Sequence, residues 1–252
     1  MFKAKISAFI ITYNEEKNLA KTLEKLTWCD EIIIVDSFST DRTVAIAEQF
    51  GAKVICQEFE GFGKQKQTAL EACQYEWKLS IDADEILNDQ LIASIQKVLV
   101  NDNNCKAYYI RRRQIFMGKT FKYGDESGRK ILRLVSGNAR FTQDVVHEVL
   151  QFEGKSSVLE GFMLHDSYSS YQAYINTLNA YTSLNAEKAL KSGKNYSQIQ
   201  VLIKPTFQFF RKYILNLNFL NGLEGYYWSK LSSYYVFIKC VKVREIYNKK
   251  YK

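Results

Sequence analysis

Over the first hundred residues, short apolar runs alternate with stretches whose apolar positions recur every third or fourth residue. ISAFII (Ile6–Ile11) has the length and isoleucine content of a buried strand. Asn14 behind it predicts a helix cap, with Glu15 and Glu16 in the first turn and Leu19, Leu23 and Leu26 at helical spacing. EIIIVD (Glu31–Asp36) predicts a second strand, and STDRTVAIAEQFG a capped helix that stops at Gly51. AKVICQ and KQKQTALEAC supply a third strand and helix, WKLSID a fourth strand, and NDQLIASIQKVLV the helix after it.

This alternation predicts an α/β fold, a mostly parallel sheet with helices on both faces. Such sheets bind ligands beyond the carboxyl ends of their strands. Three polar clusters fall at those ends: Thr12-Tyr13-Asn14-Glu15, Asp36-Ser37 and Asp82-Ala83-Asp84-Glu85. Two carboxylates one residue apart at a strand end suit Mg2+ or Mn2+, which take oxygen ligands from carboxylates and phosphate. The competing explanation is a helix start with Asp84 or Asn88 as its cap. The two sister clusters on the same edge favour the cation.

From Lys106 to His165 the pattern shifts. AYYIRRR, ILRLV and VVHEVL predict shorter strands, antiparallel or mixed. Alternation puts Arg111 and Arg113 on one side and Arg112 on the other. Arg111–Arg113, Lys130 and Arg133 are candidates to receive an anionic acceptor, because guanidinium grips phosphate and carboxylate bidentately; the alternative is a solvated face. A long helix is expected over Tyr168–Lys191, where Tyr171, Ile175, Leu178, Tyr181, Leu184 and Leu190 form a stripe. More helix is expected after Pro205, interrupted near NGLEG.

Composition narrows the class. A chain of 252 residues that is 46% apolar and 25% charged carries a real core. Its five cysteines form no CxxC pair, which fits neither a zinc site nor a disulfide framework; reduced thiols in a cytosolic protein are expected. The N-terminus lacks the apolar core and cleavage site of a signal peptide, and no apolar run approaches the roughly 20 residues of a membrane span, so retention in the cytoplasm is expected. The net charge of +8 is concentrated in Lys204–Lys252, where ten Lys/Arg face two acids and 13 of the 36 aromatics lie. A basic, aromatic segment on a neutral body suggests an anionic partner.

Read together, AFIITYNEEKNLAKTLEKL, EIIIVDSFSTDRT, GAKV, GFGKQKQTAL and WKLSIDADE resemble the nucleotide-sugar domain of inverting family 2 glycosyltransferases, which have the GT-A fold. RLV, VVHEVL, LHDSY and KPTFQFFRKYILNLNFLNGLEG further resemble the branch whose members add a hexose, as β-glucosyltransferases, to the lipopolysaccharide inner core. The resemblance implies residues 1–166 as a GT-A catalytic domain, with 1–100 the nucleotide-sugar half and 101–166 the acceptor half, and 167–252 as a helical extension. Thr12, Tyr13 and Glu15 would border the base and ribose, Asp36 would accept a hydrogen bond from uracil, and Lys66 would lie near the nucleotide or diphosphate. Asp82 would approach the ribose, and Asp84 would bind the metal, joined by a later histidine, His165. Where the family usually has Asn in an RNxAL-like stretch, this chain has Gln67, which leaves Gln67 out of the site.

The implied chemistry is displacement at an anomeric carbon. It needs charge neutralisation on the leaving diphosphate and a base for the acceptor hydroxyl. Glu148 is the candidate base, with Asp144 and Asp125 as rivals, and His147 beside it is placed to orient the acceptor. Both histidines also admit the ordinary role of a hydrogen-bonded core residue. The expected donor is UDP-glucose or another UDP-sugar, and the acceptor a lipopolysaccharide core sugar or another surface or lipid-linked glycan.

The C-terminal segment is expected to lie on an anionic membrane, at the cytoplasmic face of the inner membrane. Packing on the catalytic body is the alternative; no nucleic-acid motif is present. A nucleotidyltransferase would need a glycine-rich phosphate loop where TYNEEKN stands. A non-catalytic nucleotide-sugar or polyanion-binding protein is the reading from another class.

Overall fold

A computed structural model describes residues 4–101, 104–142, 149–166 and 171–251. The chain forms two compact units: the first holds residues up to Arg113 and Gly128–His165, the second Gln114–Ser127 and Asp166 onward.

The first unit begins β1 (Ile6–Thr12), α1 (Leu19–Glu24), β2 (Glu31–Asp36), α2 (Thr43–Gln49), β3 (Lys53–Cys56), α3 (Phe62–Glu71) and β4 (Trp77–Ser80). A short β5 (Glu85–Leu87) and α4 (Asp89–Val100) follow, then β6 (Cys105–Phe116), whose end crosses into the second unit and pairs with β7 (Lys119–Thr120). The chain returns with β8 (Ser127–Ser136), β9 (Ala139–Phe141), β10 (Leu150–Phe152), β11 (Lys155–Val158) and β12 (Met163–His165). The main sheet runs β3-β2-β1-β4-β8-β6-β12-β5. Its first four strands are parallel, while β8 is antiparallel to β4 and β12 to β5.

Alternation in β1 divides the core. Ile6, Ala8 and Ile10 face one cluster with Leu19 and Leu23 of α1 and Leu91 and Ile95 of α4. Phe9 faces the other, with Ala69 and Leu70 of α3. Each fully buried Ile, Leu or Phe side chain contributes about 1.5–3 kcal/mol of transfer free energy, so both faces hold the sheet and its strand ends in place.

Local chemistry revised several expected elements. Asn14 caps no helix: it has a left-handed φ of 54°, and its Oδ1 accepts from the Thr40 amide at 2.8 Å. Asparagine tolerates that conformation, so the chain turns there and α1 starts only at Leu19. α4 is capped by Asn88, whose Oδ1 accepts from the Leu91 amide at 3.1 Å. Asp84 is therefore released from the capping role.

In the second unit, α5 (Tyr171–Lys191) and α7 (Leu223–Tyr251) gather around Phe116, Phe121, Tyr174, Leu178 and Trp228, and α6 (Gln198–Phe210) packs along α7. The Phe116 and Trp228 ring centroids are 5.1 Å apart. α6 begins before Pro205, not after it, because Ser197 and Gln200 form a reciprocal capping box. A π-helical turn (Arg211–Leu215) and a 3-10 turn (Asn218–Asn221) separate α6 from α7. At Gly225 a Cβ would stand 1.9 Å from the Asn218 carbonyl oxygen, so only glycine admits that approach. Among the described residues, no helix is long and apolar enough to cross a membrane.

Candidate active site

Register aligns the strand ends. Thr12 pairs with Asp36 across β1 and β2. The Thr12 hydroxyl donates to Asp36 Oδ2 at 2.7 Å, and Ser39 donates to Asp36 through its amide (2.7 Å) and its hydroxyl (2.6 Å). Asp36 is fully buried, and the sequence pattern did not mark Ser39 as its partner. Tyr13 is 61% exposed beside this network. Glu15 is half-buried. Burial raises its carboxyl above the usual range against a hydrogen bond from Asn18, and Asp84, Asp41 and Asp82 push it further up.

The third cluster is built around a buried arginine. Arg133 Nη2 lies 2.5 Å from Asp82 Oδ2 and 2.6 Å from Glu85 Oε1. Lys66, from the buried face of α3, reaches Asp82 Oδ1 at 2.9 Å. Burial alone would raise the Asp82 carboxyl, but Arg133 and Lys66 outweigh it and hold Asp82 far below the usual range. Burial pushes the Glu85 carboxyl up against the pull of Arg133. Arg133 is thus committed to the protein and is not the acceptor contact its charge suggested. The signal was available: an arginine inside the apolar run ILRLV reads as a buried, paired charge.

Asp84 and His165 converge. His165 Nε2 stands 3.3 Å from Asp84 Oδ2. The β5–β12 register sets this approach, pairing His165 with Glu85. β12 is fastened in turn by Asn88, whose Oδ1 also accepts from the Phe162 amide at 3.0 Å. A Cβ on Gly161 would meet the Leu91 amide nitrogen at 2.4 Å, so glycine is required for that approach. Among the described residues, no group of three or more His, Cys, Asp or Glu could hold a metal by itself. The pair nevertheless fits a divalent ion completed by phosphate and water. Cis ligands about 2.1 Å from an octahedral ion lie about 3 Å apart, and Mn2+ accepts both imidazole and carboxylate.

The arginines sort by strand alternation. Arg111 donates to the Leu159 carbonyl at 3.2 Å, and Arg113 lies over the Phe162 ring at 3.9 Å. Arg112 occupies the other side, half-buried. Burial draws its proton affinity down, with the field of Glu85 opposing and those of Arg133 and Arg129 adding. Knowing which face carried the carboxylates required the fold. Gln67 serves structure, its Oε1 accepting from the Phe141 amide at 2.7 Å.

His147, Glu148 and Asp144 lie outside the described residues. Asp125 belongs to the second unit, where Lys212 Nζ meets it at 2.7 Å and also contacts Glu126. Partial burial would raise the Asp125 carboxyl, but hydrogen bonds with Glu126 and Lys212 and the Lys212 charge bring it to about 2.

A mostly parallel sheet flanked by helices, whose carboxyl edge gathers a Thr-Asp-Ser network, a buried Lys-Asp-Arg-Glu cluster and an Asp-His pair, has the architecture of the GT-A fold. The family model described as Glycosyl transferase family 2 matches residues 7–152. The chain belongs to that family and is an inverting-type glycosyltransferase. It is 32% identical over 96% of its length to an uncharacterized glycosyltransferase of Rickettsia typhi, covering 87% of that protein. It is also 31% identical over 96% of its length to the lipopolysaccharide core biosynthesis glycosyltransferase LpsC of Rhizobium meliloti, covering 92% of it. Among solved structures it is similar to glucosyl-3-phosphoglycerate synthase from Mycobacterium tuberculosis in complex with Mn2+, UDP and glucosyl-3-phosphoglycerate, at TM-score 0.38 and 21% identity over 44% of each chain.

Proposed function

We propose that the enzyme transfers a hexose, glucose from UDP-glucose, onto a lipopolysaccharide core sugar by one in-line displacement assisted by Mg2+ or Mn2+. The observation that carries this reading is the Asp84–His165 pair, 3.3 Å apart beyond the strand ends. A divalent cation held there supplies charge neutralisation for the departing diphosphate. Likeness to LpsC over nearly the whole chain supports the core acceptor.

In this reading Thr12, Tyr13, Glu15 and Asp36 border the base and ribose, Asp82 keeps the ribose side rigid, and Lys66 keeps positive charge toward the diphosphate. Glu148 takes the acceptor hydroxyl proton on its carboxylate, and His147 orients the acceptor. Asp125 is the weaker base candidate, because Lys212 and Glu126 hold its proton affinity down. Arg111 and Arg113, on one side of β6, receive an anionic group of the acceptor, while Arg111 also donates to the Leu159 carbonyl and Arg113 lies over the Phe162 ring.

The enzyme works peripherally at the cytoplasmic face of the inner membrane. Support comes from α6, which turns Ile199 (67% exposed), Leu202 (71% exposed), Ile203, Phe207 and Phe210 outward, against the usual inward apolar stripe. Ten Lys/Arg against two acids in Lys204–Lys252 give that region the charge an anionic bilayer attracts.

The test is UDP release by the purified protein over a panel of UDP-sugars, with core-truncated lipopolysaccharide as acceptor, with Mn2+ or Mg2+ and with EDTA. Metal-dependent release with one preferred donor is expected. Absence of both release and UDP binding would sink the reading.

A further inference from the structure

β1 and β2 each hand over to a non-glycine residue with left-handed backbone, Asn14 at φ 54° and Phe38 at φ 60°. Asn14 uses the conformation for its hydrogen bond to Thr40. Phe38 has no such reason. A bulky L-residue there crowds its own Cβ, and glycine would make the same turn without strain.

The surroundings nevertheless over-determine this conformation. The Ser37 amide donates to the Thr12 carbonyl at 2.9 Å. Ser39 donates twice to Asp36, and the Asn14 amide donates to the Ser39 hydroxyl at 2.8 Å. The residues flanking Phe38 are thus pinned to a neighbouring strand end and to a buried carboxylate.

Phe38 is 56% exposed. It joins none of the buried hydrophobic clusters among the described residues. Phe59 and Phe62, also exposed, at least pack edge-on at 5.0 Å; Phe38 has no ring partner among the described residues. A lone exposed phenylalanine is ordinary. One held in a strained backbone at the carboxyl edge of parallel strands marks a ligand contact. Because Thr12 and Asp36 are in register, Tyr13 and Phe38 leave adjacent strand ends, spaced by about 4.8 Å.

We infer that Phe38 is a nucleobase-binding residue: its ring stacks on the base of the nucleotide donor, with Tyr13 displayed from the neighbouring strand end. This rests on the donor reading above and adds to it the residue that grips the base. A planar heterocycle suits the site, since its π-face meets the ring while Asp36 and Ser39 keep the backbone wall rigid.

The experiment uses calorimetric titration with UDP and with inorganic pyrophosphate, each with Mn2+, on the wild type, Phe38→Gly and Phe38→Trp, alongside thermal unfolding. Phe38→Gly is expected to bind UDP about tenfold more weakly and pyrophosphate unchanged. It should melt about 2 °C higher, because the strain is relieved. Phe38→Trp should keep UDP affinity. Equal UDP binding by Phe38→Gly, equal losses for UDP and pyrophosphate, or a lower melting temperature would each overturn the inference alone. A wild type that binds no UDP would instead bring down the donor reading.

Discussion

His165 Nε2 lies 3.3 Å from Asp84 Oδ2, although the two residues stand 81 positions apart in the chain. They meet because β12 pairs antiparallel with β5, placing His165 opposite Glu85. Asn88 ties the start of α4 to the residue preceding β12. A helix cap and a strand register therefore build the candidate metal pair.

Removing either member should abolish metal-dependent transfer without unfolding the protein. Asp84→Asn and His165→Ala are expected to lose the rise in melting temperature that Mn2+ gives the wild type, while their far-UV circular dichroism stays unchanged. Retention of the Mn2+ shift in both variants would remove the pair from the metal site.

Arg133 is predicted to matter first for stability. Arg133→Ala leaves Asp82 and Glu85 buried without their shared counter-charge, which costs about 3–5 kcal/mol. Urea denaturation of the variant should show a lower midpoint with an unchanged slope. A loss under about 1 kcal/mol would mean that the cluster relaxes into water.

Acid should weaken the first unit in a defined window. The folded Asp82 carboxyl lies below its ordinary 3.8. The stability it contributes is complete above that value and is lost as pH falls through and below it. Asp125 adds a parallel contribution in the second unit, lost between pH 3.8 and about 2. Asp82→Asn should flatten the pH dependence of the melting temperature below pH 4 in proportion; an unchanged slope would mean that Asp82 is not the linked group.

The outward face of α6 should hold the protein on anionic vesicles. Wild type is expected to float with phosphatidylglycerol vesicles and to be released by high salt in part only, since apolar insertion survives screening. Leu202→Glu with Phe207→Glu should lose most of that binding while still releasing UDP from the donor. Should the wild type instead sediment as a dimer that this double variant dissociates, the face would belong to a second copy.

Much of this architecture was legible in the chain. Apolar runs at Ile6–Ile11 and Glu31–Asp36, with helical periodicity between, dictate buried strands and covering helices. Their handover residues dictate a polar carboxyl edge. These are local properties, because alternation and periodicity act over a few neighbouring residues. What the sequence left open depends on distant partners. Asn14 became a left-handed turn because Thr40 lies across the neighbouring strand end. Asp84 was freed from capping because Asn88 took that role. Arg133 became a buried counter-charge because β8 lies beside β4. Burial, register and charge pairing are set by residues far apart in the chain, so only the tertiary structure decided which charged groups are buried in pairs and hold the fold.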